Sequence, residues 1–281
     1  MKKWIYWGIV FLFACRGPEG PQGPQGPQGP EGPPGPQIIY VLGYVFSNGW
    51  SGVEVSFSPV IPIVKINGHT LSLHGCEGSS FFYSDSLPVT HEDSINLNVD
   101  YTKDKATASA VIPGKFAITS HDTSQTAYIP LYSNFTVTWS SSVQRSGYWI
   151  SFWIWYEYET AGGEIKWYEF ESDTFITSQS ITFPASKLFP PDVDTVLYSW
   201  GYFDVYALSE PKLQPGAEGN VKGGGAGFFW GITFGGELYV AIEGTKVKVE
   251  KEKITREKLM EKLFEKVKKL DLNYQTLKES F

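Results

Sequence analysis

The chain has 281 residues, of which 42% are hydrophobic, 16% aromatic and only 19% charged. This length and apolar content suffice for two modest domains with packed cores. Residues 1–244 contain 12 Lys or Arg and 23 Asp or Glu, so the body of the chain is acidic and would repel phosphate, which argues against nucleic acid as a partner. Residues 245–281 contain 11 basic and 7 acidic residues of mixed order, as on a solvated helix.

The N-terminus has the pattern of an export signal. Lys2 and Lys3 precede an apolar run from Trp4 to Phe13, which is too short to cross a bilayer but suits the hydrophobic part of a signal peptide. The run ends directly before a cysteine, in the sequence Leu12-Phe13-Ala14-Cys15. A plain signal anchor is the alternative, but it would not explain a cysteine at that place.

The ending at Cys15 resembles the lipobox of bacterial lipoproteins, although Phe13 is bulkier than is common there. The resemblance implies that residues 1–15 are a lipoprotein signal, that Cys15 carries the lipid, and that the lipid holds the protein on a membrane. Arg16 rather than Asp follows the cysteine. For a diderm cell this implies delivery to the outer membrane, with the protein facing the periplasm or the cell surface.

Residues 16–37 are predicted to form a stalk. From Gly17 onward, seven uninterrupted Gly-Pro-X triplets resemble collagen. Three polyproline II strands can wind together only when every third residue is glycine, because only glycine fits at the axis. The segment therefore indicates either a homotrimer or a single-chain spacer about 65 Å long. The triplets alone do not decide between the two.

From Ile38 onward the sequence predicts short strands. Polar and apolar residues alternate in Val53–Phe57, Ile95–Val99 and Phe135–Trp139, and turn signals such as Asn67-Gly68 lie between such runs. This spacing is typical of antiparallel sandwiches. We expect a mostly β fold with two β-sandwiches, an immunoglobulin-like one over 38–122 and a second over 123–245.

The second sandwich resembles a fibronectin type III domain. Four segments carry the resemblance as its strands B, C, E and F, namely Phe135–Ser140, Gly147–Glu157, Ile181–Ala185 and Tyr202–Ala207. The Gly-rich stretch 216–236 is longer than the family usually has, and we expect backbones to approach closely there. Folds of this kind carry many functions, so the resemblance implies no particular activity.

The sequence shows no catalytic constellation. Its four histidines have no metal-ligand spacing, and His74 with Cys76 is too small a set for a zinc site. We therefore expect no metal, no cofactor and no enzymatic activity. With Cys15 lipidated, Cys76 has no partner for an internal disulfide. We expect Cys76 to be buried as a small hydrophobic residue, with intermolecular pairing as the alternative.

A row of aromatic residues is the main candidate for function. Alternation places Trp149, Trp153 and Trp155 on one face of a strand, and it places an outward row on a neighbouring strand beside them. A sandwich buries only one face of each sheet, so these rings either bind a glycan or protein ligand or are covered by another part of the chain. The candidate ligand-binding residues are Trp149, Trp153, Trp155, Trp200, Tyr202 and Tyr206.

Residues 246–281 are predicted to contain an amphipathic helix from Lys253 to Phe281. Apolar residues recur there at alternating spacings of three and four, at Met260, Leu263, Val267, Leu270, Tyr274, Leu277 and Phe281. This seam suits either a short coiled coil or a helix packed on a sandwich. Leu259 and Phe264 widen the apolar stripe and favour the second arrangement.

These features predict a lipid-anchored cell-envelope protein that acts as a non-catalytic binding or structural module. Two alternatives stay open. The first is an envelope enzyme or accessory chain acting on glycans, which would need two carboxylates about 5–10 Å apart. The second is a purely structural trimeric stalk, which a fully covered aromatic face would favour.

Overall fold

The computed structural model describes residues 38–214, 216–247 and 256–271, together with residues 274, 275 and 278. The predicted signal, Cys15 and the collagen-like stalk at 16–37 lie outside the described residues. The described chain is mostly β, as expected. Among its helices, none is both long enough and apolar enough to cross a membrane.

The strands and helices follow one another along the described chain in this order: β1 (Ile39–Phe46), β2 (Trp50–Ser56), β3 (Ile63–Ile66), β4 (His69–Thr70), β5 (Ser72–Glu77), β6 (Ser80–Ser86), β7 (Ser94–Tyr101), β8 (Asp104–Val111), β9 (Ala127–Ile129), β10 (Phe135–Thr138), β11 (Gly147–Thr160), β12 (Ile165–Ile176), β13 (Ser180–Phe183), α1 (Ala185–Leu188), β14 (Val193–Leu208), β15 (Lys222–Gly223), β16 (Gly225–Ile242), β17 (Lys246–Val247) and α2 (Arg256–Leu270).

One large sheet runs through both halves of the described chain. Its strand order is β12-β11-β14-β16-β1-β2-β6-β5, with β9 added beside β16 and β17 beside β14. Strands β1 and β16 are parallel neighbours, from Ile39 opposite Gly225 to Phe46 opposite Ile232. The ranges 38–122 and 123–245 therefore contribute to the same sheet, and the described residues belong to one compact unit.

Two hydrophobic cores lie side by side on one face of the large sheet. The two-stranded sheet β10-β13 packs over β11, β14 and the end of β16, around Phe152, Phe203 and Leu238. The five-stranded sheet β15-β8-β7-β3-β4 packs over β1, β2 and β6, around Val55 and Leu97. Each of the two cores draws residues from both predicted ranges, since Phe116 and Ile118 belong to the first core and Val221 and Phe229 to the second.

A third core lies on the opposite face of the large sheet, beneath α2. Tyr40, Leu42, Tyr44 and Phe46 of β1 face this side and pack with Met260, Leu263, Phe264 and Val267 of the helix. Because both faces of β1 are covered, all eight of its residues are buried. Burial of one such aliphatic or aromatic side chain contributes about 1.5–3 kcal/mol. The apolar stripe of α2 therefore packs on its own sheet, as the width of the stripe indicated, and Met260, Leu263 and Val267 are not free for a coiled coil.

The Gly-rich stretch is where β16 passes close to its neighbours. Gly227 has a φ of +125°, and a Cβ built there would lie 1.9 Å from the carbonyl oxygen of Val41. A Cβ on Gly231 would lie 2.4 Å from the carbonyl oxygen of Val111. Only glycine permits such an approach. The expectation of closely approaching backbones in this stretch is confirmed.

The expectation that Cys76 is buried is wrong. Cys76 lies on β5, which is the last strand of the large sheet, and its thiol is exposed. Five of the six residues of β5 are exposed, and none of the six belongs to a hydrophobic core. The residue type indicated burial, but the position at a sheet edge decided the outcome.

Candidate binding face

The predicted aromatic residues do lie together on one face of the large sheet. In the antiparallel register of β11 and β14, Trp149 is opposite Tyr206, Trp153 is opposite Tyr202, and Trp155 is opposite Trp200. Directly opposed residues of neighbouring strands place their side chains on the same face, close enough for contact. The three pairs are rungs of one ladder, with Ser151 opposite Asp204 between the first and the second, and they run from the end of the face beneath α2 to an end beyond it.

Helix α2 covers the first rung. Trp149 is 1% exposed and Tyr206 is 5% exposed, and both belong to the core beneath the helix. The ammonium of Lys266 lies 4.9 Å from the centre of the Trp149 ring. Of the two alternatives that the sequence left open, cover by another part of the chain therefore applies to the candidate residues Trp149 and Tyr206, because the helix is packed over them.

The remaining rungs extend beyond the helix. Trp153, Trp155 and Trp200 are partly exposed, whereas Tyr202 is buried among them. Three further exposed rings border them on the same face: Trp167 of β12, Tyr198 of β14 and Tyr239 of β16. We call the exposed set the aromatic platform. Its members are Trp153, Trp155, Trp167, Tyr198, Trp200 and Tyr239.

Sequence reasoning missed three members of the platform. Trp167 is 68% exposed and lies on the edge strand β12, where Trp167, Glu169, Glu171 and Asp173 alternate with residues of the opposite face. That alternation was visible in the sequence. The position of Tyr239 could not be predicted in the same way. Its place opposite Tyr202 depends on the register of β14 and β16, and their pairing contains a bulge.

The platform rings are held by one another and by one hydrogen bond. The Trp153 ring lies 5.0 Å from that of Trp200 in an edge-to-face arrangement, and it stacks at 5.8 Å on Tyr202. The indole N–H of Trp153 donates to Oε1 of Glu169 at 2.6 Å. Because the neighbouring rings and the hydrogen bond to Glu169 hold the Trp153 side chain, its ring has a fixed orientation without a ligand.

Acidic side chains border the platform on β12. Glu169 and Glu171 are exposed, and Asp173 lies partly beneath α2. Lys262 of the helix forms ion pairs with Glu171 and with Asp173, the latter at 3.5 Å. Burial raises the pKa of the Asp173 carboxyl, while a hydrogen bond from Ser151 and the charge of Lys262 act in the opposite direction. These contacts fasten the helix at the border between the covered rung and the platform.

The described residues contain no group of three or more His, Cys, Asp or Glu side chains that could hold a metal ion. His74 and Cys76, the pair considered from the sequence, are both exposed on β5. The chemistry that the platform offers is stacking by its rings and hydrogen bonding by the neighbouring carboxylates.

No protein-family model matches the chain, and no curated protein matches it. Solved structures similar to it include the N-terminal Ig1-2 module of the Drosophila receptor protein tyrosine phosphatase DLAR, at 10% identity and a TM-score of 0.29 over 73% of this chain and 99% of that one. Another is the set of fibronectin(III)-like modules of CbhA from Clostridium thermocellum, at 8% identity and a TM-score of 0.24 over 76% and 97% of the two chains. A third is the adhesin InvE of Yersinia pseudotuberculosis, at 9% identity and a TM-score of 0.22 over 62% and 58%. These likenesses are too weak to carry a functional inference.

Proposed function

We propose that the protein is a lipid-anchored, non-catalytic module of the cell envelope that binds a neutral glycan through its aromatic platform. One observation carries the proposal: partly exposed tryptophans and tyrosines continue across three central strands onto an edge strand, on a face that the helix leaves uncovered. Exposed aromatic surface of this extent on one rigid face typically marks an interaction site.

Stacking explains why a sugar suits this face. The apolar face of a pyranose ring packs on a flat aromatic ring, and Trp155 and Trp167 present such rings on adjacent strands of one sheet. An aromatic contact contributes about 0.5–1.5 kcal/mol beyond the area that it buries. Several contacts together would give an affinity in the micromolar to millimolar range.

The negative charge beside the platform favours neutral glycans over acidic ones as ligands. Glu169 and Glu171 are exposed beside the platform, and the body of the chain has an excess of acidic residues. Carboxylates accept hydrogen bonds from sugar hydroxyls but repel uronates, sulfates and phosphates. We therefore expect neutral polysaccharides to bind and acidic ones to bind weakly.

The membrane attachment is part of the proposal. A lipid on Cys15 would hold the chain on the outer membrane, and the collagen-like segment 16–37 would lift the platform away from the bilayer. Such a segment serves this purpose either as a homotrimer or as a single-chain spacer. Because the described part of α2 packs on its own sheet, trimerisation is supported by the Gly-Pro-X triplets alone.

The ion pairs beside the platform support binding rather than glycan hydrolysis. A glycosidase needs two carboxylates that face the same bond. Glu171 and Asp173 both form ion pairs with Lys262 of α2, so these two carboxylates are engaged in fastening the helix.

Retention of the purified chain in gels that contain a neutral glucan, a neutral xylan or acidic alginate tests the proposal. We expect a neutral polysaccharide to retard the wild type and alginate not to do so. The double variant Trp155→Ala/Trp167→Ala should migrate freely. The matched control is Phe82→Ala, which removes a partly exposed ring of β6, a strand that β1 and β2 separate from the platform, and it should leave retention unchanged. Equal retention of the double variant and the wild type would contradict a glycan site on the platform and leave a protein ligand or a structural role.

A further inference from the structure

A cavity of about 530 Å³ lies between α2 and the sheet formed by β2, β5 and β6. It is separate from the platform, and its volume falls within the range of small-molecule sites. Both the sheet and the segment with α2 contribute aromatic residues to its lining, among them Tyr44, Trp50, Phe82, Phe264 and Tyr274. The ring centre of Tyr44 lies 5.2 Å from that of Trp50 and 5.6 Å from that of Phe264, so these rings form a continuous wall.

The charge of the lining is unbalanced. Four carboxylates border the cavity, from Glu54, Glu77, Glu261 and Glu265, against the single ammonium of Lys268. Glu54 is buried, and it accepts a hydrogen bond from Ser56 at 2.8 Å. Aromatic faces and carboxylates both attract cations, and the attraction strengthens where water is excluded.

The cavity already holds one ammonium. Nζ of Lys268 lies 2.9 Å from Oε1 of Glu54, and it also lies 5.6 Å from the centre of the Tyr274 ring. The side chain of Lys268 is only 14% exposed. This lysine shows in the chain itself how a positive nitrogen is accommodated between a carboxylate and an aromatic ring at this place.

We propose that the cavity is a second binding site, whose ligand is a small organic cation with an alkylammonium head. The head lies against Tyr44 and Trp50 of the aromatic wall, with Phe82 also in the lining, and the carboxylate of Glu77 at the rim complements its charge. The uncharged remainder of the ligand fills the space toward Phe264 of α2.

The probe that tests this proposal is choline, compared with its uncharged isostere 3,3-dimethyl-1-butanol. The two molecules have nearly the same shape and differ in the charge of one atom. In titrations of the purified full chain, followed by saturation-transfer NMR of the methyl protons, choline should bind saturably. The isostere should bind at least about fivefold more weakly, since it lacks the cation–aromatic attraction. Equal affinity, or no saturable binding of choline, would overturn the proposal.

Single substitutions test whether choline binds in the cavity or on the platform. Phe82→Ala removes a ring that is 38% exposed, and Glu77→Gln removes an exposed charge, so both proteins should fold. Each should weaken choline binding by about threefold or more. Trp167→Ala and Glu169→Gln are the matched controls on the platform and should leave choline affinity unchanged. Loss of affinity in the controls but not in Phe82→Ala or Glu77→Gln would place the cation on the platform and contradict a site in the cavity.

Discussion

Trp149, Trp155 and Trp167 offer a graded test of how α2 divides the aromatic face. All three rings lie on the same face of the large sheet, on β11 and its neighbour β12. They differ in cover: Trp149 is 1% exposed beneath α2, Trp155 is partly exposed, and Trp167 is 68% exposed. The effect of replacing each with alanine should therefore follow burial and not residue type.

The expected magnitudes follow from the burial of each ring. Trp149→Ala leaves a cavity in the third core and should lower the free energy of unfolding by about 3–5 kcal/mol. Trp155→Ala removes a half-buried ring and should cost about 1–2 kcal/mol. Trp167→Ala should change the free energy of unfolding by no more than about 0.5 kcal/mol, because its ring is mostly solvated.

Urea unfolding followed by circular dichroism measures these differences. For a chain of this size Trp149→Ala should also lower Tm by roughly 6–20 °C, at about 2–4 °C per kcal/mol. If the free energy of unfolding depends on urea concentration with the same slope in all three variants and the wild type, the variants unfold from the same compact state. Equal costs for Trp149→Ala and Trp167→Ala would refute the packing of α2 over the first rung.

Three further predictions concern the rest of the chain. Gly227→Ala should cost at least about 2 kcal/mol in urea unfolding because of its positive φ and its contact with Val41, whereas Gly75→Ala, with nothing within 4 Å, should be nearly neutral. Burial raises the pKa of the phenols of Tyr40, Tyr156 and Tyr202 above the ordinary 10.0. The contribution of these phenols to the free energy of unfolding is therefore fully present below pH 10.0. It falls as the pH rises further, by up to about 1.4 kcal/mol per pH unit for each phenol. Tyr156→Phe should make this fall less steep, and a urea midpoint that does not change with pH above 10.0 would contradict the prediction. Cys15→Ser should abolish labelling of the full chain by a radioactive fatty acid, and persistent label would locate the lipid elsewhere.

Local alternation predicted much of this fold and of the candidate site. It placed Trp149, Trp153 and Trp155 on one face of β11 and predicted the helical stripe that contains Leu263 and Val267. These features depend on neighbours in the sequence, which fix the direction of each side chain from a strand or helix. The same alternation in β12 would also have identified Trp167.

Contacts between distant segments were beyond this reasoning. The parallel pairing of β1 with β16 joins the two predicted sandwiches into one sheet, and no local pattern in either strand specifies that partner. The periodicity of α2 defined its apolar face but not the surface that it covers, so it did not separate Trp149 from Trp155. Cys76 was assigned to a core from its residue type, although the strand order places it at an uncovered edge.

The central claim is that the aromatic platform binds a neutral glycan. The most direct test is isothermal titration with an oligosaccharide of whichever neutral polysaccharide retards the wild type, applied to the wild type, Trp155→Ala/Trp167→Ala and Phe82→Ala. We expect a Kd in the micromolar to millimolar range for the wild type and for Phe82→Ala. We expect at least about a tenfold weaker Kd for the double variant, which loses two stacking contacts. A double variant that is folded and binds with the same Kd as the wild type would contradict the claim.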